Sequence, residues 1–194
     1  MKKDEYVRVL DYLPKGKSDV PPHKRKPIAQ AIGEKYFSLL EISPRSGMSF
    51  DPGERVYIGE NIRDKVDHIE RRIKYDWLTP TAKSDLLTVL EKIIKENEEQ
   101  FVNFYNTVGT ISTRQHKLEC LPKIGKGHRE DILREREIKP FTSFDDIKSR
   151  VKNMPNPVRI IVEKIVEELE GKSKYYLFVP VLTERENSDV QFRE

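Results

Sequence analysis

Residues 118–133 combine glycines and cationic side chains at a spacing suited to holding a phosphate group. The pattern predicts a short helix ending at Leu121, a turn opened by Pro122 and closed by Gly125 and Gly127, and a second helix. Such a helix-hairpin-helix leaves backbone N–H groups unpaired at the start of its second helix, where the helix dipole adds partial positive charge. The predicted phosphate contacts are Lys123, Ile124, Gly125, Lys126, Gly127, His128 and Arg129, together with Arg114 upstream.

A second basic segment lies between prolines near the N-terminus. Residues 15–26 carry five lysines or arginines against one acid, Asp19. We expect this loop to add electrostatic attraction for a polyanion through Lys15, Lys17, Lys24, Arg25 and Lys26, with His23 among them. Basic loops are also often simply solvated, and that ordinary interpretation favours an alternative function, a protein-protein adaptor.

Residues that resemble catalytic or metal-binding sets have simpler explanations. His116 and Cys120 are four residues apart, but the chain has one cysteine and four histidines and offers no second ligand pair. Asp145 and Asp146 look like a carboxylate pair, yet acids in a first helical turn complement the helix dipole. Sequence patterns typical of nucleotide hydrolysis or nucleophilic catalysis are missing as well. We therefore expect no catalytic residues, no metal site, no cofactor and no enzymatic activity.

Composition limits the architecture and the cellular setting. The 194 residues are 36% hydrophobic and 36% charged and include 12 prolines, which favours two small domains built from short elements. The net charge is only +3, so the argument for a polyanion partner depends on a positive excess in residues 1–76 and 109–155. No apolar run reaches the roughly 18 residues of a membrane span, and the N-terminus lacks the apolar core of a signal peptide. We expect a cytoplasmic protein without membrane contact.

The first part of the sequence predicts strands. The strands are expected at Tyr6–Leu13 and at residues 28–32, 36–42 and 55–59, separated by proline- and glycine-containing turns. Residues 66–77 fit both a strand alternation and a helix face. We favour the strand, because a fifth strand supplies the number needed for a small, partly open barrel of the OB kind.

The rest of the sequence predicts helices. Thr79 as N-cap and Pro80 open one helix that runs to Gly109, and its acidic outer face is typical of a connector. After the glycine turn, Ser143 and Asp146 resemble a capping box, and residues 158–169 predict a further helix. Residues 151–155 echo residues 118–122 at an offset of 33, which indicates a second, glycine-free hairpin unit.

We therefore expect a multidomain α+β chain, an N-terminal five-stranded OB-like β-barrel followed by a helical tandem helix-hairpin-helix domain. The predicted boundaries are 1–78 for the OB-like barrel, 79–108 for the connecting helix, 109–171 for the tandem helix-hairpin-helix domain, and 172–194 for a C-terminal strand and tail. Within the last segment the strand is expected at residues 174–181 and a loosely ordered tail at 183–194.

Four blocks of this sequence resemble the signature blocks of an uncharacterised archaeal family, domain of unknown function 655. They are residues 75–82, 111–116, 139–146 and the glycine hairpin itself, and the resemblance covers nearly the whole chain. It implies an OB-like N-terminal part, a tandem helix-hairpin-helix part and an RNA-binding role in the archaeal cytoplasm. The usual family hairpin has glycine where this chain has Lys123, and a non-glycine residue adopts positive φ only at a cost of roughly 1 kcal/mol.

These observations predict a nucleic-acid-binding protein that grips the sugar-phosphate backbone. RNA is favoured over DNA by the family resemblance. The alternative is a protein-protein adaptor in a ribonucleoprotein or translation-related assembly, without direct contact to nucleic acid. Tyr12, Tyr36 and Tyr57 are candidates for base stacking on the barrel, although ordinary packing explains each of them better. The sequence does not indicate the oligomeric state or the target.

Overall fold

The computed structural model describes residues 3–181, which form two compact units. Within the described range, the first unit holds residues 3–89, 169–172 and 178–181, and the second holds residues 90–168 and 173–177. The division falls between Val89 and Leu90, inside a helix. The predicted tail at residues 183–194 lies outside the described residues.

The first unit contains a five-stranded antiparallel sheet in the form of a half-barrel. Its strands are β1 (Tyr6–Leu13), β2 (Ile28–Gly33), β3 (Leu39–Pro44), β4 (Arg55–Tyr57) and β5 (Val66–Arg72). They lie in the order β4-β1-β2-β3-β5, with every neighbouring pair antiparallel. Residues 66–72 are therefore a strand, as favoured from the sequence, and the chain then makes a single helical turn at Tyr75–Trp77.

Irregular pairing curls this sheet, and its strands β2 and β3 are buried on both faces. The register of β1 against β2 shifts between Val9 and Asp11, and the register of β3 against β5 shifts twice, next to Glu41 and next to Ser43. Such bulges increase local twist and bend the strand. Buried apolar residues of the strands and of the segments beside β4 form one cluster, made of Val7, Val9, Ala29, Ala31, Leu40, Ile42, Phe50, Val56, Ile58 and Val66.

Five α-helices follow the sheet. They are α1 (Pro80–Glu96), α2 (Glu98–Thr107), α3 (Lys126–Ile138), α4 (Phe144–Arg150) and α5 (Pro157–Leu169). A two-stranded ribbon, β6 (Thr110–Ser112) with β7 (Gln115–His116), separates α2 from α3. Thr79 caps α1 as predicted, because its Oγ1 accepts a hydrogen bond from the Ala82 N–H at 3.0 Å.

The single connecting helix predicted over residues 79–108 is interrupted. Asn97 adopts φ −114° and ψ 34°, outside the helical region, and becomes the N-cap residue of α2. Its side-chain amide donates to the Ile93 carbonyl at 2.8 Å, while its own carbonyl accepts from the Gln100 N–H. Asparagine commonly competes with helix continuation in this way, and this local bonding replaces a regular turn of helix.

The strand predicted at residues 174–181 was wrong, since the described residues there form bends and loops. Side chains of α5 bind the beginning of this segment. Lys164 Nζ donates to Ser173 Oγ at 2.6 Å, and the Leu177 N–H donates to Glu168 Oε1 at 2.6 Å. These bonds to helix side chains take the place of a strand ladder.

Among residues 3–181, no helix combines the length and the apolar composition needed to cross a membrane.

Candidate nucleic-acid interface

The turn before α3 is compact and anchored by buried apolar side chains. A short 3₁₀ helix, Lys117–Cys120, ends at Leu121, and the Ile124 N–H donates to the Leu121 carbonyl at 3.3 Å. Lys123 adopts φ +65°, a left-handed conformation that glycine adopts more easily than any other residue. Ile124 is buried, so its role is to anchor the turn and only its backbone is available to a ligand.

The first turn of α3 presents its backbone N–H groups without a side-chain cap. Gly125 is the N-cap residue, with φ −100° and ψ −173°, and no capping hydrogen bond from a side chain occurs within the described residues. Gly125 and Gly127 are both exposed, and a Cβ added at either position would meet nothing within 4 Å. The N-terminus of this 13-residue helix is therefore open to an anion.

Most cations predicted around the turn already have partners. Lys123 Nζ lies 2.6 Å from Glu163 Oε1, and Arg129 pairs with Glu119 at 3.2 Å and with Glu130 at 2.9 Å. His128 Nε2 lies 3.2 Å from the Asn153 carbonyl. Within residues 3–181, Lys126 and Arg114 have no carboxylate partner, and both are exposed. The backbone amides and Lys126 are thus the groups at this turn that remain available to an anion.

A second turn repeats this geometry, at an offset of 30 residues and not the predicted 33. Asn153 adopts φ +53° as the counterpart of Lys123, and the Met154 N–H donates to the Val151 carbonyl at 3.3 Å, as Ile124 does to Leu121. Met154 is buried like Ile124. In this second unit, however, Asn156 Oδ1 accepts from the Val158 and Arg159 N–H groups. Its helix N-terminus is therefore capped, as expected for a structural partner.

His116 and Cys120 have local roles. His116 Nδ1 accepts a hydrogen bond from the Leu118 N–H at 3.1 Å, and the His116 N–H donates to the Glu119 carboxylate. His116 and Glu119 therefore form a capping box. Burial lowers the pKa of His116, and the positive charges of Arg136 and Arg129 lower it further. Cys120 Sγ lies 3.8 Å from the His116 carbonyl oxygen, and burial raises the pKa of the Cys120 thiol. No group of three potential metal ligands occurs among the described residues.

Ser143 is the N-cap residue of α4 as predicted, but only half of the predicted capping box forms, because the Asp146 carboxylate binds the N–H of Thr142 and not that of Ser143. Ser143 Oγ accepts from the Asp146 N–H at 3.0 Å, and Asp146 Oδ2 accepts from the Thr142 N–H at 3.1 Å. Burial opposes ionisation of Asp146, but the bonds from Thr142 and Arg150 outweigh it and hold its pKa below the ordinary value. This carboxylate is committed to holding the start of α4.

In the first unit, the basic loop borders a cavity of about 320 Å³. Its cationic lining residues are Lys17, Lys24, Arg25, Lys26 and Arg71. Arg25 also shapes the loop, because its guanidinium donates to the carbonyls of Val20 at 2.7 Å and Ser18 at 2.9 Å. Lys15 is exposed outside this lining. Four of the five predicted loop cations are thus brought to one concave surface.

Sequence analysis missed Glu41 and Arg71, which organise this cavity. Glu41 is 1% exposed, forms an ion pair with Lys17, and accepts from Arg71 Nε at 2.8 Å. Burial alone would raise the pKa of Glu41, but hydrogen bonds from Lys17 and Arg71 hold it below its ordinary value. The available signal was the position of Glu41 inside the apolar run of β3, where a buried charge requires partners.

The tyrosines proposed for base stacking are packed. Tyr12 lies edge-to-face against Phe50 with ring centroids 5.7 Å apart, and Tyr57 does the same with Tyr6 at 5.2 Å. The ring of Tyr36 lies under the Lys35 ammonium at 5.4 Å. The aromatic partners of Tyr12 and Tyr57 favour packing over ligand contact at these two rings.

Three comparisons relate the chain to known proteins. The model of the family described as "Protein of unknown function (DUF655)" matches residues 3–180. The chain is 49% identical over 178 residues to the uncharacterized protein MJ0038 of Methanocaldococcus jannaschii, covering 91% of this chain and 80% of that protein. It is also similar to the crystal structure of Af1531 from Archaeoglobus fulgidus, with a TM-score of 0.85, 44% identity, and coverage of 91% of this chain and 100% of that chain.

Proposed function

We propose, from the premise that this chain belongs to the DUF655 family, that it binds RNA through the sugar-phosphate backbone. The observation that carries the proposal is the uncapped N-terminus of α3 behind an exposed glycine turn. Backbone N–H groups and a helix dipole recognise a phosphate oxygen without reading a base, so binding is expected to depend little on sequence.

The half-barrel and the two left-handed turns also support this proposal. We assign the half-barrel to the OB-like class, because three strands in a meander are flanked by β4 and β5 at the edges. All pairings are antiparallel, so the two edge strands run in the same direction. We assign the two turns, each with a left-handed residue before a buried apolar anchor, to tandem helix-hairpin-helix units. Both classes commonly present loops to nucleic acid.

A protein-protein adaptor is the second candidate. It is favoured by the ion pairs that occupy Lys123 and Arg129, since a cation already bound to a carboxylate attracts phosphate less. The exposed side chain of Ile138 at the end of α3 also suits a protein contact. Direct RNA binding by the purified chain distinguishes the two functions.

The test is a variant that keeps the helix but closes the anion site. In Gly125→Asp, the new carboxylate can cap the N–H groups of α3 and occupies open space, so the fold should be retained or stabilised. The same carboxylate competes with phosphate. We expect RNA affinity, measured by anisotropy of a labelled oligonucleotide, to fall roughly ten- to a hundredfold for all sequences, the worth of one to two charged hydrogen bonds.

Gly109→Asp is the matched control, because a Cβ at this exposed glycine also meets nothing within 4 Å and the residue lies before β6, outside the turn that precedes α3. It adds the same charge to the same unit, so it should change affinity by much less. If Gly125→Asp binds RNA as tightly as the parent, the hairpin is not the site. If the parent binds no nucleic acid, the adaptor function replaces this proposal.

A further inference from the structure

Trp77 is exposed on a rigidly held turn of the first unit. The residue is 38% exposed, although tryptophan is on average largely buried. Its carbonyl accepts from Gln30 Nε2 at 2.9 Å, and the Thr79 N–H donates to Gln30 Oε1 at 2.8 Å. The neighbouring Leu78 is buried and fixes the turn from the other side. The indole is therefore presented to solvent by a backbone that cannot easily withdraw it.

One buried network joins this indole to the cationic cavity. Gln30, which is fully buried, donates through the same Nε2 to Glu41 Oε1 at 3.3 Å. Glu41 in turn binds Arg71 and Lys17, both of which line the cavity. The Arg71 guanidinium lies 5.0 Å from the centroid of the Trp77 ring. The aromatic surface and the cavity are thus positioned by the same side chains.

The cavity retains positive charge after its internal pairs are counted. Glu41 forms ion pairs with both Lys17 and Arg71, and Glu70 is the other carboxylate in the lining. These two carboxylates face five cationic side chains. Lys24 and Lys26 are exposed and have no carboxylate partner among residues 3–181. At about 320 Å³, the space is at the lower end of the size range of small-ligand pockets. A phosphate with its attached sugar is a chemically suitable occupant.

We propose that Trp77, Arg71 and this cavity form a subsite for a single strand of nucleic acid. One base stacks on the Trp77 indole and an adjacent phosphate enters the cavity beside Lys24 and Lys26. The inference rests on the proposed RNA-binding function and deepens it. In a duplex, bases are paired and stacked on each other, so an aromatic platform next to a phosphate site selects a splayed single strand.

The chain contains one tryptophan and eight tyrosines, so emission excited selectively at tryptophan reports on Trp77 alone. The full chain is titrated with short oligouridine and oligoadenine RNA, the same sequences as DNA, and an RNA duplex. We expect quenching of the indole by the single strands, with the RNA and DNA arms deciding whether the ribose matters. The duplex should leave the emission unchanged.

Variants separate stacking from electrostatics. Trp77→Ala should weaken single-strand binding about 5- to 150-fold, while Trp77→Phe keeps a ring and should lose less. Leu87→Ala is the matched control, because Leu87 is an exposed large apolar residue of the same unit that lies on α1 outside the cavity lining. Neutralising Lys24 and Lys26 should keep the quenching at saturation but lower the dependence of log affinity on log salt by about 1.4 to 1.8.

The outcomes distinguish this inference from the function on which it rests. If anisotropy reports RNA binding while Trp77 emission stays constant and Trp77→Ala binds like the parent, the subsite is overturned and the hairpin proposal stands. Equal quenching by duplex and single strand also overturns it, because the strand selectivity is then absent. If neither readout detects nucleic acid, the proposed function fails and the subsite fails with it.

Discussion

At the scale of single residues, His116 couples the stability of the second unit to pH. Its Nδ1 must be unprotonated to accept the Leu118 N–H, and burial with two nearby arginines favours the same neutral form. The folded pKa therefore lies below that of the unfolded chain, which is about 6.5 for histidine. As the pH falls through that value, the unfolded state binds the proton first, so the free energy of unfolding decreases.

We therefore expect His116→Asn to flatten the pH dependence of stability below about pH 6.5. Asparagine keeps a capping acceptor but does not titrate. The measurement is urea unfolding of parent and variant at several pH values on the acidic side of neutrality. His23→Asn serves as the control, since it makes the same exchange at an exposed histidine of the first unit. A parent-like slope in His116→Asn would assign the acid sensitivity to other groups.

Lys123 provides a second residue-scale prediction. At its φ of +65°, a Cβ is disfavoured, so Lys123→Gly should be more stable than Lys123→Ala by roughly 1 kcal/mol. Both variants lose the ion pair with Glu163, so their difference isolates the backbone effect. Thermal or urea unfolding measures it. At Lys148, inside α4, the order should be reversed because glycine there only adds flexibility to a helix. Equal stability of the two Lys123 variants would contradict the strain argument.

At the scale of elements, arginines that look like phosphate ligands hold helix ends. Arg136 donates to the Tyr105 and Val108 carbonyls at 3.0 and 2.9 Å, at the end of α2. Arg150 binds the Glu135 and Lys139 carbonyls at the end of α3 and lies over the Phe141 ring. Helix C-termini leave carbonyls unpaired and carry partial negative charge, which explains both positions. Part of the positive excess in residues 109–155 is therefore structural.

The sequence predicts elements well where one periodicity dominates. β1 spans Tyr6–Leu13 as predicted, because its alternation is bounded by turn residues. The prediction fails where a single side chain determines where a helix ends or a turn forms. Asn97 ends α1 through its own amide. The repeated turn follows the left-handed residues Lys123 and Asn153, whereas the predicted offset of 33 rests on matching Leu-Pro and Met-Pro pairs. The sequence predicts the loop cations that line the cavity, because they lie in one basic segment, but it does not predict Glu41 and Arg71, which come from separate strands.

At the scale of the whole molecule, a net charge of +3 cannot by itself recruit a polyanion. Much of the charge is used internally, as in the pairs of Lys17 with Glu41, Arg129 with Glu119, and Lys123 with Glu163. The proposed binding must then depend on a few unpaired groups placed on well-ordered turns. Such an arrangement suits modest, salt-dependent affinity for a phosphate backbone and gives no base code.

The same use of polar groups argues against turnover of the bound strand. Cleavage of a phosphodiester needs a positioned base or a carboxylate-held metal at the reacting centre. Asp146 is ionised and occupied by Thr142 and Arg150, and His128 lies against the Asn153 carbonyl. We expect purified protein to leave labelled RNA and DNA intact, single- or double-stranded, with Mg²⁺ or Mn²⁺ added. Cleavage that persists through purification and disappears in Asp145→Asn, Asp146→Asn or His128→Gln would move the chain from binding proteins to enzymes.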